Sequence, residues 1–220
     1  VMLHAFEQRL MRNPARYDDF TLSALVEYAP ASDAEAAAIS TLLERLWDAG
    51  PGKPASELES SLLKFATHAA GALDRVVALA VAVAAGDPDA RRYLMDEIVE
   101  DGGDPTLQRQ LLDWVAETGD REIKGELLKK LADSVYLGEA PNPTLFEPIL
   151  GIAGSELETQ ADKLMVAAQE SEAFAAALAR VVERTAPEQA GLLKVFAARI
   201  AAGIEPQRAA GEALEIYKSR

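Results

Sequence analysis

The sequence predicts an all-α protein built from antiparallel helical hairpins stacked as a short α-solenoid, with a compact multi-helix bundle as the alternative. Three observations lead there. Helix start and stop signals recur along the whole chain with no convincing strand between them. Two stretches open on the same Gly-Asp-Pro, at Gly86 and Gly103, and a third opens on Gly-Asp-Arg at Gly119. The apolar positions behind those three starts align through a whole helix each.

Thirteen helices are expected, at about 2–12, 16–28, 33–48, 57–70, 73–85, 88–100, 105–117, 121–136, 144–153, 156–169, 172–184, 188–202 and 206–218. Ser32 with Glu35, Ser56 with Glu59, and Ser155 with Glu158 have the spacing of a capping box. Pro88, Pro105 and Pro143 each follow Asp or Asn, so an N-cap precedes a proline whose missing N–H costs nothing in a first turn. Gly50, Gly71, Gly86, Gly119, Gly138, Gly154 and Gly203 stand where helices end. Connections this short favour antiparallel neighbours.

The central helices compare position by position. Ala90, Leu107 and Ile123 align, followed by Leu94, Leu111 and Leu127, then Met95, Leu112 and Leu128. Ile98, Val115 and Leu131 come next, with Val99, Ala116 and Ala132 behind them. They form one broad apolar stripe at helical spacing. The starts fall about 17 and 16 residues apart, so a hairpin recurs roughly every 33 residues. A unit that small buries its stripe only by stacking. Thr144, Leu145, Ile149 and Leu150 resemble a degenerate fourth start. The linker from Leu137 to Pro143 is the expected boundary, dividing the chain into 1–138 and 139–220, expected to continue as one array.

The stretch GDPDARRYLMDEIVEDGGDP resembles the HEAT-type repeats of bilin lyases and many adaptor proteins. The resemblance covers roughly residues 73–138. It implies a ladder in which Asp87, Asp104 and Asp120 bond to Arg92 and Arg109 of neighbouring repeats. The third unit departs, with Arg121 in place of proline and Gly125 in place of the arginine, so the ladder frays there.

Composition narrows the function classes. The chain has 220 residues, 49% of them hydrophobic, 26% charged and only 6% aromatic. Many alanines and few rings favour close helix packing over small side chains. The net charge of −14 disfavours nucleic acid, whose phosphates are bound through Lys and Arg, and anionic lipid likewise. There is no cysteine, hence no thiolate nucleophile or Cys-ligated zinc. The longest apolar run, Val76 to Ala85, is too short to span a bilayer, so no membrane insertion is expected. The cytoplasm is the expected compartment, with export left open because the chain begins at Val1.

The chemistry-bearing residues have plain structural explanations. His4 and His68, the two histidines, are each followed by Ala, which departs from the His-Glu pairs of HEAT-like iron hydroxylases. No carboxylate near His68 orients it as a base. The acidic groups Asp18–Asp19 and Glu100–Asp101–Asp104 lack calcium-loop spacing and read as caps. Gly52-Lys53-Pro54 lacks the spacing of a phosphate loop. No cofactor and no metal are expected. Arg91, Gln108 and Lys124 occupy one repeat position. They form either a polar row lining a groove or long stems covering apolar surface. With Arg92, Tyr93 and Arg109 they are the candidate partner-binding residues. Trp47, Trp114, Tyr93 and Tyr136 are candidate aromatic anchors or core residues.

The leading functional expectation is a non-enzymatic protein- or peptide-binding module. It would be an adaptor or scaffold, or an acidic chaperone or regulator of a client, with a partner of basic character. The alternative is an enzyme or small-ligand protein using a carboxylate of raised pKa in an interhelical pocket.

Overall fold

Helix caps set the architecture. A computed structural model describes residues 2–14, 17–28, 30–49, 56–69, 72, 74–99, 105–117, 120–139, 141–185 and 191–219; among them every regular element is helical and no strand occurs. By its contacts the chain divides into two compact units. One comprises 1–94 with 104–107, the other 95–103 with 108–220. The change of unit falls within one helix and at the start of the next. The boundary expected at 138/139 therefore lies inside the second unit.

The first unit holds α1 (Met2–Leu10), α2 (Asp19–Val26), α3 (Asp33–Asp48), α4 (Ser56–His68), α5 (Asp74–Gly86) and the start of α6 (Pro88–Val99). In α3, Ser32 accepts from the Glu35 N–H at 3.3 Å, and the Glu35 carboxylate reaches back to the Ala31 N–H at 2.8 Å. That is the expected capping box with its return bond one residue early. The Ser56 hydroxyl lies outside the described side chains. Behind the Ser32 cap, Ala36, Ile39, Leu42, Leu43 and Leu46 are buried at helical spacing. They join Leu10, Leu22, Leu25, Leu58, Leu62 and Phe65 in a core that also takes in Tyr17. Helix α1 packs on α2 and α3, α2 on α4, and α3 and α4 on α5.

Asp87 caps α6 as expected, accepting from the Asp89 N–H at 2.9 Å ahead of Pro88. Gly86, expected to stop α5 in a left-handed conformation, is instead the last helical residue of α5. Gly138, Gly154 and Gly203 do have positive φ, whereas Gly50, Gly71 and Gly119 lie outside the described residues.

The second unit contains the rest of α6, α7 (Pro105–Glu117) from Gln108 onward, α8 (Arg121–Leu137), α9 (Phe146–Ile152), α10 (Glu156–Thr159), α11 (Ala161–Glu170), α12 (Glu172–Thr185), α13 (Gly191–Ala201) and α14 (Pro206–Lys218). Asp120 caps α8, accepting from the Glu122 and Ile123 N–H groups at 2.8 and 3.4 Å. Gly138 ends it at φ +71°, and the Glu139 N–H returns to the Ser134 carbonyl at 3.0 Å. This 6→1 bond is the Schellman arrangement that needs a left-handed residue. Asn142 caps a 3-10 turn at Pro143–Leu145, which leads into α9.

The helix expected at 156–169 is broken at Gln160 into α10 and α11. The predicted Ser155–Glu158 capping box does not form. Ser155, in the turn before α10, has α-region backbone angles (φ −65°, ψ −18°) and its hydroxyl accepts from Arg121 Nη2 at 3.0 Å, while Glu158 points to α13. Helix α11 is central, packing on α8, α12, α13 and α14. Its Ala161, Leu164, Met165, Ala167 and Ala168 are buried, and small residues line α12 and α14 as well. The alanine content thus serves close helix approach.

Of the aligned apolar positions, all those whose side chains are described are buried except Ala116, which is exposed; the Leu107 side chain is outside the described set. Arg199–Glu212 joins the adjacent α13 and α14, and the Gln207 amide of α14 reaches the Gln169 carbonyl of α11. Most cross-helix ion pairs, however, join a helix to its next-but-one neighbour, counting the broken α10–α11 as one. In the first unit these are Glu7–Arg45, Glu27–Lys64, and Glu44 and Asp48 with Arg75. In the second they are Asp96–Lys130, Arg121–Glu156, Asp133–Lys163 and Glu147–Arg180. Their partners stand between 27 and 38 residues apart, near one hairpin.

Candidate functional site

The six candidate partner-binding residues fall in different environments. Arg91, Arg92 and Tyr93 belong to the first unit, and Gln108, Arg109 and Lys124 to the second. Gln108 is only 2% exposed, with its Nε2 donating to the Glu97 carbonyl at 3.4 Å. Of the row Arg91, Gln108 and Lys124, the middle member is therefore buried. An amide in the apolar arc is tolerated there because it meets backbone rather than water. Arg91, Tyr93 and Lys124 are half-buried. Arg92 and Arg109 are exposed.

Asp87 and Asp120 cap their own helices, and Arg92 pairs with Asp89 one turn away on α6 at 3.3 Å. Asp104 lies outside the described residues, as do Glu100, Asp101, Gly52, Lys53 and Pro54. His4 is exposed beside Glu7 and Gln8, and the His68 side chain is outside the described set. Asp18 accepts from the Thr21 hydroxyl and pairs with Arg9; the Thr21 bond leads in holding its carboxyl below the usual range. Among the described residues no group of three or more His, Asp or Glu side chains is placed to hold a metal ion. Trp47 and Trp114 are half-buried, while Tyr136 and its neighbour Leu137 are exposed at the end of α8.

A cleft of about 490 Å³ lies between α8 and α10. Its floor is Glu156, 8% exposed, whose Oε1 accepts from Arg121 Nε at 2.8 Å. Gly125 opens this cleft: a Cβ there would stand 3.6 Å from Glu156 Oε2. Arg92 and Arg109 occupy the equivalent positions of the preceding units, so the sequence signal for the cleft is the missing arginine. Glu126 and Lys129 complete a wall of mixed charge. A second cleft, of about 580 Å³, lies between α9 and α12. There Glu147 pairs with Arg180 and Arg184 at 2.9 and 2.7 Å. The Arg180 hydrogen bond, helped by the charge of Arg184, holds the Glu147 carboxyl below its ordinary range. Both clefts present salt-bridged polar groups; the second adds the apolar side chains of Pro148, Ile152 and Val181.

Glu158 is the carboxyl that burial pushes upward, against the lowering effect of the Leu192 and Leu193 N–H groups and with a further push from Asp162. One oxygen accepts from the Leu192 N–H at 3.1 Å. A Cβ on Gly191 would overlap that oxygen, so glycine starts α13 at φ +43°. Sequence reading missed this contact because its partners are 34 residues apart. No protein-family model, curated protein or solved structure matches the chain.

Proposed function

We propose that the chain is a non-enzymatic protein- or peptide-binding module, a HEAT-like array of helical hairpins acting as an adaptor or scaffold. The observation that carries this reading is the register of the cross-helix pairs. Most of them join next-but-one helices at close to one-hairpin spacing in each unit. Stacked hairpins of this kind leave interhelical clefts along a rigid surface, and repeat proteins bind through such surfaces. The cleft over Gly125 is the binding position we favour, with Arg92 and Arg109 as exposed contacts on their own units. A net charge of −14 fits a partner with a basic segment.

The enzyme reading asks for a carboxylate of raised pKa opening into a cavity. Glu158 has the raised pKa, but its carboxyl is engaged with the backbone of α13. That geometry favours a structural use of the group.

The test is affinity capture from native lysate with the parent chain and with Gly125→Arg, both verified as folded by circular dichroism. The module reading predicts one stoichiometric protein partner for the parent and its loss with the filled cleft. Repeated capture of nothing by the folded parent overturns it.

A further inference from the structure

The Glu158 carboxyl sits in an unbalanced environment. Oε1 faces the first turn of α13 and accepts from the Leu192 N–H. Oε2 is buried and, among the described residues, has no hydrogen-bond partner. The groups around it sharpen the imbalance. From α13 it meets backbone N–H groups, of Leu192 and Leu193. From α11, Asp162 adds a like charge. From α8, Arg121 is engaged with Glu156 instead. From α14, the Tyr217 hydroxyl stands 3.8 Å from the position of a Gly191 Cβ.

An ionised carboxylate here is held well at one oxygen and stripped of water at the other. Helix N-terminal N–H groups favour the anion, and burial without a donor opposes it. We propose that Glu158 is a proton-operated clasp between α10 and the first turn of α13, closed when the carboxyl is neutral and loosened when it ionises. Ionisation loosens it because the anion at Oε2 is solvated only by admitting water to the α10–α13 contact. Burial and Asp162 raise the pKa of Glu158, which moves that ionisation toward neutral pH.

Hydrogen exchange of the full chain between mildly acidic and neutral pH, corrected for intrinsic exchange, tests the clasp. Protection of the Leu192 and Leu193 amides should fall several-fold with rising pH, relative to amides inside α12. Glu158→Gln, a neutral isostere, should hold protection constant across the range. Asp162→Asn, which leaves the clasp intact, should move the fall to lower pH. A parent whose α13 amides do not respond to pH overturns the proposal. So does a Glu158→Gln chain with the parental response, or an Asp162→Asn chain whose midpoint stays in place.

Discussion

Two glycines of the second unit should respond to alanine with opposite signs. Gly191 has φ +43°, and a Cβ there would displace the Glu158 oxygen that accepts from Leu192. The left-handed conformation costs an L-residue about 1–2 kcal/mol. Losing a side-chain cap costs about 1 kcal/mol more. Gly191→Ala should therefore destabilise the unit by about 2–3 kcal/mol. Gly125 lies inside α8, and its added Cβ meets only Glu156 Oε2 at 3.6 Å, an ordinary contact. Gly125→Ala should stabilise by up to about 1 kcal/mol through helix propensity. The assay is urea unfolding in a Trp47→Phe background, where the fluorescence of Trp114 reports on the second unit. A Gly191→Ala chain as stable as its parent, or a Gly125→Ala chain less stable than Gly191→Ala, refutes the reasoning.

Phe174 is fully buried and meets Phe146 edge-on with centroids 5.3 Å apart. Phe174→Ala should cost about 3–5 kcal/mol in the same unfolding assay. Asp120→Ala removes the two N–H bonds that start α8 and should cost about 1 kcal/mol. Acid–base linkage should show two signs. The stabilising contribution of Glu158, whose folded pKa is raised, is complete below the ordinary carboxylate range and is lost as pH rises through the raised value. Urea midpoints of parent and Glu158→Gln should therefore diverge as pH increases, with the variant the more stable. Glu147, whose pKa is lowered, runs the other way: its contribution holds above the ordinary range and fades as pH falls. The parent's stability advantage over Glu147→Gln should then shrink as pH falls into acid.

Local features were legible in the sequence because their causes are local. Asp87, Asp120, Asn142 and Ser32 each accept from N–H groups two or three residues ahead, so residue type and spacing suffice to place them. The apolar stripe was legible for the same reason, since helical spacing and burial share one period. What escaped was non-local. Glu158 looked like the second half of a capping box, but a helix 34 residues on competes for its carboxylate and the segment breaks at Gln160. Gln108 looked like a member of a polar row until the Glu97 carbonyl supplied an internal partner. The cleft at Gly125 was visible only as a missing arginine; its floor, Glu156, comes from a different hairpin.

The functional reading stands on the one-hairpin register, and cross-linking tests that register most directly. With no native cysteine, paired substitutions give a background-free readout. Cysteines replacing Glu147 and Arg180, Asp133 and Lys163, or Glu27 and Lys64 should be joined rapidly by a short bismaleimide in the folded chain. Reaction should slow sharply in urea. Pairs that react no faster folded than unfolded would contradict the stacked-hairpin account.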